Sequence, residues 1–203
     1  RWICFGGSSN SMCYSYDSGN WTAVSSSTSI FTSGNNGRNN AGVGSINIVH
    51  PTLAFGTGKG SILYSTDGLT FTPTQNNAFL STAYCGVWNG VRWLVGGQGN
   101  LGWPTMGIST DGQNWVQINP SVNFTCRGIA WGNNSYVIVG TGSSNTLGYS
   151  TDNTGQNWAY MSTASTFSTA GYGVAYGRDR FVAVGAGTNK IIYALGSTLG
   201  TWT

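Results

Sequence analysis

Glutamate occurs nowhere in these 203 residues, and five aspartates, eight Lys or Arg and one histidine leave charged side chains at only 6% of the chain. An ordinary soluble protein carries about 25%. Glycoside hydrolases of the usual kind need two carboxylates across one bond, and four of the five aspartates here sit in turns of a repeated pattern. The lone histidine, His50, stands beside Pro51 without a nucleophile or an orienting partner for a catalytic triad. The basic residues are scattered, so there is no stripe to track a phosphate backbone, and nucleic acid is not an expected partner. No apolar run approaches the roughly 18 to 20 residues that cross a bilayer, so membrane insertion is not expected either.

Cysteine is sparse and badly spaced for metal. Cys4, Cys13, Cys85 and Cys126 form no Cys-x-x-Cys pair, which argues against zinc, and no cofactor or metal is expected. Cys4 and Cys13 fall on neighbouring strands of one hairpin, close enough to bridge, whereas Cys85 and Cys126 fall in different repeats. All four are expected as free, half-buried thiols acting as small hydrophobes. The chain shows no signal peptide, opens inside an apparent strand and stops just after Trp202. It reads as a processed product or a piece of something longer, whose other parts would hold the targeting information.

What the chain has in quantity is repetition. Ser15-Tyr16-Asp17, Ser65-Thr66-Asp67, Ser109-Thr110-Asp111 and Ser150-Thr151-Asp152 each run through a turn to an aromatic residue, at Trp21, Phe71, Trp115 and Trp158. Trp202 ends a fifth, degenerate copy with Gly196 where Asp is expected. From Phe71 onward the aromatics recur every 43 to 44 residues, the size of a four-stranded blade. Within one repeat, 128–131, 135–139, 147–150 and a run starting at 156 are short, rich in β-formers and bounded by Gly or Asn. The same order recurs around Gly86-Val87-Trp88 and Gly173-Val174-Ala175-Tyr176, and more weakly in 45–49 with 52–55. Turn chemistry at Asn89-Gly90, Asn133-Asn134 and Arg178-Asp179 predicts antiparallel hairpins.

The expected fold is an all-β propeller of four-stranded antiparallel blades. It is one continuous domain with units near 1–33, 34–80, 81–122, 123–165 and 166–203; the first lacks its innermost strand and the last most of its outermost. Reading the turns as hairpin loops of two, three and four residues places Tyr14, Tyr64, Ile108, Tyr149 and Tyr193 opposite Trp21, Phe71, Trp115, Trp158 and Trp202. Gly19 then takes the left-handed position of the first loop. Asp17, Asp67, Asp111 and Asp152 are expected to accept local backbone amides, and the aromatics to fill the space between blades.

Ser-x-Asp, a turn and an aromatic at the end of each blade resemble the Asp-box, or BNR, repeat of sialidase-like propellers, over essentially the whole chain. The turns depart from the family pattern in length, and are similar to the short-repeat propellers of secreted bacterial proteins, phage tails and large-virus surfaces. The resemblance implies a propeller, and it includes hydrolases that hold an acidic sugar on a basic cluster and use Tyr, Glu and Asp for the chemistry. With no glutamate here, the expectation is a non-catalytic extracellular or virion-surface module that binds a surface glycan or a neighbouring structural protein. The alternatives are a purely structural capsid, fibre or surface-layer component, with homo-oligomeric assembly, and part of a hydrolase whose catalytic residues lie elsewhere. Candidate ligand residues are on loops away from the Asp turns: Gln98, Asn100 and Trp103 in the longest such loop, Arg38 in the loop 35–40, and Arg127 just ahead of an innermost strand. The turn at 75–77 is expected to add amides to the same face. Arg92 and Arg180 precede aromatics and are expected to pack beside them.

Overall fold

The computed structural model describes residues 2–5, 12–24, 41–43, 52–55, 62–76, 80–99, 105–118, 124–162 and 166–203. Among these there are strands and turns and no helix. The first sheet holds β1 (Trp2–Phe5), β2 (Met12–Ser15) and β3 (Thr22–Ala23); the second holds β4 (Ala41–Val43), β5 (Thr52–Phe55), β6 (Ile62–Ser65) and β7 (Thr72–Pro73). The third comprises β8 (Leu80–Trp88), β9 (Trp93–Gly99), β10 (Met106–Ser109) and β11 (Val116–Ile118). The fourth comprises β12 (Phe124–Gly132), β13 (Ser135–Gly142), β14 (Asn145–Ser150) and β15 (Ala159–Ser162). The fifth has β16 (Ala170–Gly177), β17 (Arg180–Ala186) and β18 (Ile191–Leu195). In each sheet spatial order follows chain order and every pairing is antiparallel, so each is a meander.

The hairpins between the first two strands of units 4 and 5 turn through residues at positive φ, three of the four being Asn or Asp, which tolerate it. Asn133 and Asn134, at 45° and 56°, close the Gly132–Ser135 pair; Arg178 and Asp179, at 50° and 59°, close Gly177–Arg180. Both central residues being left-handed gives the twist that an antiparallel ribbon needs. In unit 3 the longer turn is held by Asn89, whose Oδ1 accepts the N–H groups of Val91 and Arg92 at 2.9 and 2.8 Å.

Three strand assignments differ from the sequence reading. The innermost strand of unit 4 begins at Phe124 rather than 128, so Arg127 lies inside it and not ahead of it. The outermost strands begin after the aromatic residue, so β15 starts at Ala159 rather than at 156. In the second unit Ala41–Val43 pairs with β5, upstream of the expected 45–49, which lies outside the described residues. At the far end Thr203 and Tyr193 exchange both backbone bonds, at 2.9 and 3.0 Å, in the position of a fourth strand.

The core lies between sheets. Leu53 and Ile62 of unit 2 pack with Trp93, Val95 and Trp115 of unit 3. Leu94, Met106 and Ile108 of unit 3 pack with Phe124, Tyr136 and Ile138 of unit 4. Val137, Val139 and Leu147 of unit 4 pack with Phe181, Ala183 and Ile192 of unit 5. Alternate residues of one strand therefore serve two different layers, and β13 is buried over six consecutive residues, Ser135 to Gly140. On the outer side of unit 5, Val182, Val184, Ile191, Tyr193 and Leu195 are between 42% and 67% exposed.

Strands β4, β8, β12 and β16 are edge strands that pack on one another in series, so they line the middle of the assembly. Each of the last three carries a β-bulge, between Ala83 and Cys85, Cys126 and Gly128, and Gly171 and Gly173. The facing strand answers with a glycine at the same place, Gly97, Gly140 or Gly185. A Cβ there would come within 2.0, 1.9 and 2.4 Å of the carbonyl oxygens of Thr82, Thr125 and Ala170. Only glycine admits that approach.

Candidate functional site

The Asp turns are one construction used repeatedly. In units 1 to 3 the Asp Oδ1 accepts backbone N–H from the second and third residues after it. These are Gly19 and Asn20 at 2.9 and 2.8 Å, Leu69 and Thr70 at 2.7 and 2.7 Å, and Gln113 and Asn114 at 2.8 and 2.8 Å. Oδ2 takes the side chain of that third residue, from Asn20, Thr70 or Asn114. The buried serine, Ser15, Ser65 or Ser109, donates its hydroxyl to Oδ1 at 2.9 to 3.0 Å. Asp152 does the same for Thr154 and Gly155, both at 2.8 Å, and holds Asn157 with its other oxygen.

These donors set the acidity of the carboxyls. The Asn20 backbone N–H and side chain hold Asp17 well below the usual carboxylate range, and the Thr70 and Leu69 N–H groups do so for Asp67. For Asp111 and Asp152 partial burial pushes upward, but the hydrogen bonds together outweigh it. Asp152 comes down to about 2.

The expected pairing across these turns is off by one residue throughout. Tyr14, Tyr64, Ile108 and Tyr149 face Thr22, Thr72, Val116 and Ala159, and Tyr193 faces Thr203. In each case the partner is the residue after the aromatic. The aromatic belongs to the turn itself: the indole N–H of Trp21, Trp158 and Trp202 donates to the carbonyl three residues back, at 3.2, 2.8 and 2.8 Å. Counting loop length outward from Asp-Gly missed this, because the carboxylate organises the residues after it into a compact turn ending at the aromatic. For the same reason the left-handed residue of unit 1 is Ser18, at φ 63°, and not Gly19; Gly68 and Gly112 hold the matching place in units 2 and 3 at 70° and 72°.

The turn at 75–77 also lies elsewhere than expected. The Gln75 N–H donates to the Gln113 carbonyl at 2.9 Å, which ties it to the Asp111 turn of the next unit. Asn77 lies outside the described residues.

Of the candidate ligand residues, the structure brings two together. The Arg127 guanidinium lies 5.8 Å from the centre of the Tyr84 ring, and the Tyr84 hydroxyl donates to Gln98 Oε1 at 3.2 Å. Arg127 Nε also donates to Thr141 Oγ1 at 3.0 Å. Tyr84 and Arg127 are the residues bulged out of β8 and β12, and Tyr172 is the residue bulged out of β16. Consecutive units thus present Tyr84, Arg127 and Tyr172 from the same point of their innermost strands, with Arg127 and Tyr172 exposed. The tyrosines went unnoticed in the sequence because the register of a bulge is not a periodic signal. Arg38, Asn100 and Trp103 lie outside the described residues.

Two of the other charged groups, Asp179 and Arg180, are engaged locally, while the Arg92 Nε is buried without a hydrogen-bond partner among the described residues. Tyr176 donates its hydroxyl to Asp179 Oδ1 at 3.1 Å, and the Arg180 guanidinium lies 5.5 Å from the Tyr193 ring. Among the described residues no three His, Cys, Asp or Glu side chains gather as a metal site, and no helix is long and apolar enough to cross a membrane.

Solved structures share this arrangement. YCF48 from Cyanidioschyzon merolae matches with a TM-score of 0.54 and 23% identity, over 82% of this chain and 56% of that one. The extracellular domain of a Bacteroides thetaiotaomicron protein described as a hybrid two component system, BT4673, matches with a TM-score of 0.56 and 13% identity, over 80% of this chain and 20% of that one. The fold is a β-propeller. Its units are blades, its bulged strands line the axis, and the chain spans little more than half the length of the first of these structures and a fifth of the second. No family model and no curated protein matches the sequence.

Proposed function

We propose that this propeller is a non-catalytic binding and assembly module of an extracellular or virion surface, with a glycan-binding site at the axial row of Tyr84, Arg127 and Tyr172 and at Gln98. The observation that carries the reading is Arg127 stacked over Tyr84, with the Tyr84 hydroxyl fixed on Gln98. Aromatic faces that pack on sugar rings, a fixed cation and side-chain amides for hydroxyls are what a hydroxyl-rich ligand requires. The carboxylates support a non-catalytic role: four are held in the blade turns by several donors each, and Asp179 accepts from Tyr176. The blade turns themselves are variants of the Asp-box in this reading, because Ser, Asp and the aromatic act together as one turn.

The assembly half rests on the apolar outer face of blade 5, where Val182, Val184 and Ile191 are exposed. Its occupant in this reading is another four-stranded blade, since the equivalent face of blade 4 is covered by blade 5. A purely structural role is the second reading, and the same face favours it.

A glycan array probed with the purified chain tests the site. Selective binding is expected, weakened about tenfold or more by Arg127→Ala and by Tyr84→Ala and unchanged by Arg180→Ala. An array without signal, or binding indifferent to both axial substitutions, overturns the glycan reading in favour of the structural one.

A further inference from the structure

Cys85 and Cys126, 41 residues apart in sequence and in different blades, meet across the boundary between blades 3 and 4 with their Sγ atoms 3.7 Å apart. Both are free thiols, as expected, although Cys126 is buried rather than half-buried. Each belongs to a bulge: Cys85 follows the bulged Tyr84 of β8, and Cys126 precedes the bulged Arg127 of β12. The two thiols are held by backbone carbonyls, Cys85 against Gly96 and Cys126, and Cys126 against Gly128, at 3.7 to 3.9 Å. Cys126 is fully buried and Cys85 only partly so, which makes Cys85 the more accessible residue of the pair.

The neighbouring boundary shows that this pair is a local replacement. By strand register, Cys85 and Cys126 correspond to Gly128 and Gly171 at the boundary of blades 4 and 5, and Gly96 corresponds to Val139. A Cβ on Gly96 would come within 2.5 Å of Cys126 Sγ, and a Cβ on Gly171 within 2.6 Å of the Val139 Cβ. One boundary is filled by a valine against two glycines; the other is filled by two facing thiols against one glycine. Burial pushes the Cys126 thiol up, with Cys85 adding to the effect, so the buried sulfur is the poorer first nucleophile.

We propose that Cys85 and Cys126 are an oxidation site at which a low-molecular-weight disulfide installs a cross-link between blades 3 and 4. The Cys85 thiolate attacks one sulfur of the reagent, breaking its S–S bond, forming a mixed disulfide and releasing one thiolate. Cys126 then loses its proton and attacks the Cys85 sulfur, forming the inter-blade S–S bond and releasing the second thiolate. The two protons lost by the cysteines end on the two small thiols; the protein is oxidised by two electrons and the reagent reduced by two. Closing the bond brings the sulfurs from van der Waals contact to about 2.05 Å. The cross-link ties together the two strands that present Tyr84 and Arg127.

The reduced, purified chain is incubated with oxidised glutathione under native conditions and mapped by peptide mass spectrometry. The expected product is a Cys85–Cys126 cross-linked peptide, reversed by reductant, with an oxidised chain that unfolds at higher temperature than the reduced one. Cys126→Ala is expected to stop at a glutathione adduct on Cys85, and Cys85→Ala to leave Cys126 unmodified. The wild-type digest alone keeps the proposal falsifiable if a variant fails to fold. A persistent glutathione adduct on Cys85 in the wild type, or reduced Cys85 and Cys126 after prolonged treatment, overturns it.

Discussion

Blades 4 and 5 spell the same strand in nearly the same letters, Tyr136-Val137-Ile138-Val139 in one and Phe181-Val182-Ala183-Val184 in the other. In both, the first and third residues face back toward the preceding blade and are buried. The valines between them differ completely: Val137 and Val139 are fully buried beneath blade 5, while Val182 and Val184 stand open to solvent. A propeller strand has no intrinsic inside and outside. Each of its faces takes its character from the neighbouring sheet, so a strand with two apolar faces has a core only where a neighbour exists. Burial on both sides is therefore a property of the array.

The largest effect is expected at the turn aromatics, which differ in how deeply their blade boundaries bury them. Trp115 is 4% exposed between blades 2 and 3, whereas Trp202, its counterpart at the end of blade 5, is only partly buried and is held by its bond to Leu199. Trp115→Ala is expected to cost about 3 to 5 kcal/mol, as a large truncation in a packed layer. Trp202→Ala should cost about half as much, because solvent already reaches part of that site. Chemical denaturation of both variants measures this, and an equal or reversed cost would mean that depth of burial at the turn does not set the cost.

The valines give the next test. Val137→Ala removes two methyl groups from a closed boundary and should cost about 2 kcal/mol. Val182→Ala, at the same position of the open face, should stay within about 0.5 kcal/mol. The same pair of denaturation curves decides it. If Val182→Ala proves as costly as Val137→Ala, the outer face of blade 5 is covered in solution, and the occupant can be sought by measuring the oligomeric state.

Much of this architecture was legible beforehand, and the limits of legibility have physical causes. Short β-rich runs, Asn-Gly and Asn-Asn turns and aromatics at a constant spacing define four-stranded meanders, because strand length, turn chemistry and repeat length are all local. Register is not local. Tyr64 facing Thr72 rather than Phe71 depends on how Asp67 gathers the N–H groups of Leu69 and Thr70, which no count of loop residues reveals. The bulges at Tyr84 and Arg127 escaped for a related reason, although Gly97 and Gly140 marked them in the facing strands. Contacts across blades, such as Cys85 with Cys126, depend on how one meander stacks on the next, and nothing in either repeat encodes the other's offset.

Acid should produce the smallest effect and the one most specific to the turns. Blades 1 to 4 carry a carboxylate whose folded acidity is strengthened by its donors, and blade 5 has Gly196 in that place. A carboxyl with a lowered folded pKa contributes stability that is complete above its unfolded value, about 3.9. That contribution is lost as the pH falls through the folded value, which for Asp152 is about 2. The melting temperature should therefore be flat above about pH 5 and decline from about pH 4 downward, gently, because these groups are mostly exposed and screened. Asp111→Asn keeps an oxygen for the Gln113 and Asn114 N–H groups but loses the charge and the second acceptor. It should cost about 1 kcal/mol at neutral pH and less at pH 2, so the variant's profile runs flatter than the wild type's. Parallel profiles for the two proteins would show that the carboxylate's charge is irrelevant to the turn, leaving the buried Ser109 and Trp115 to hold it.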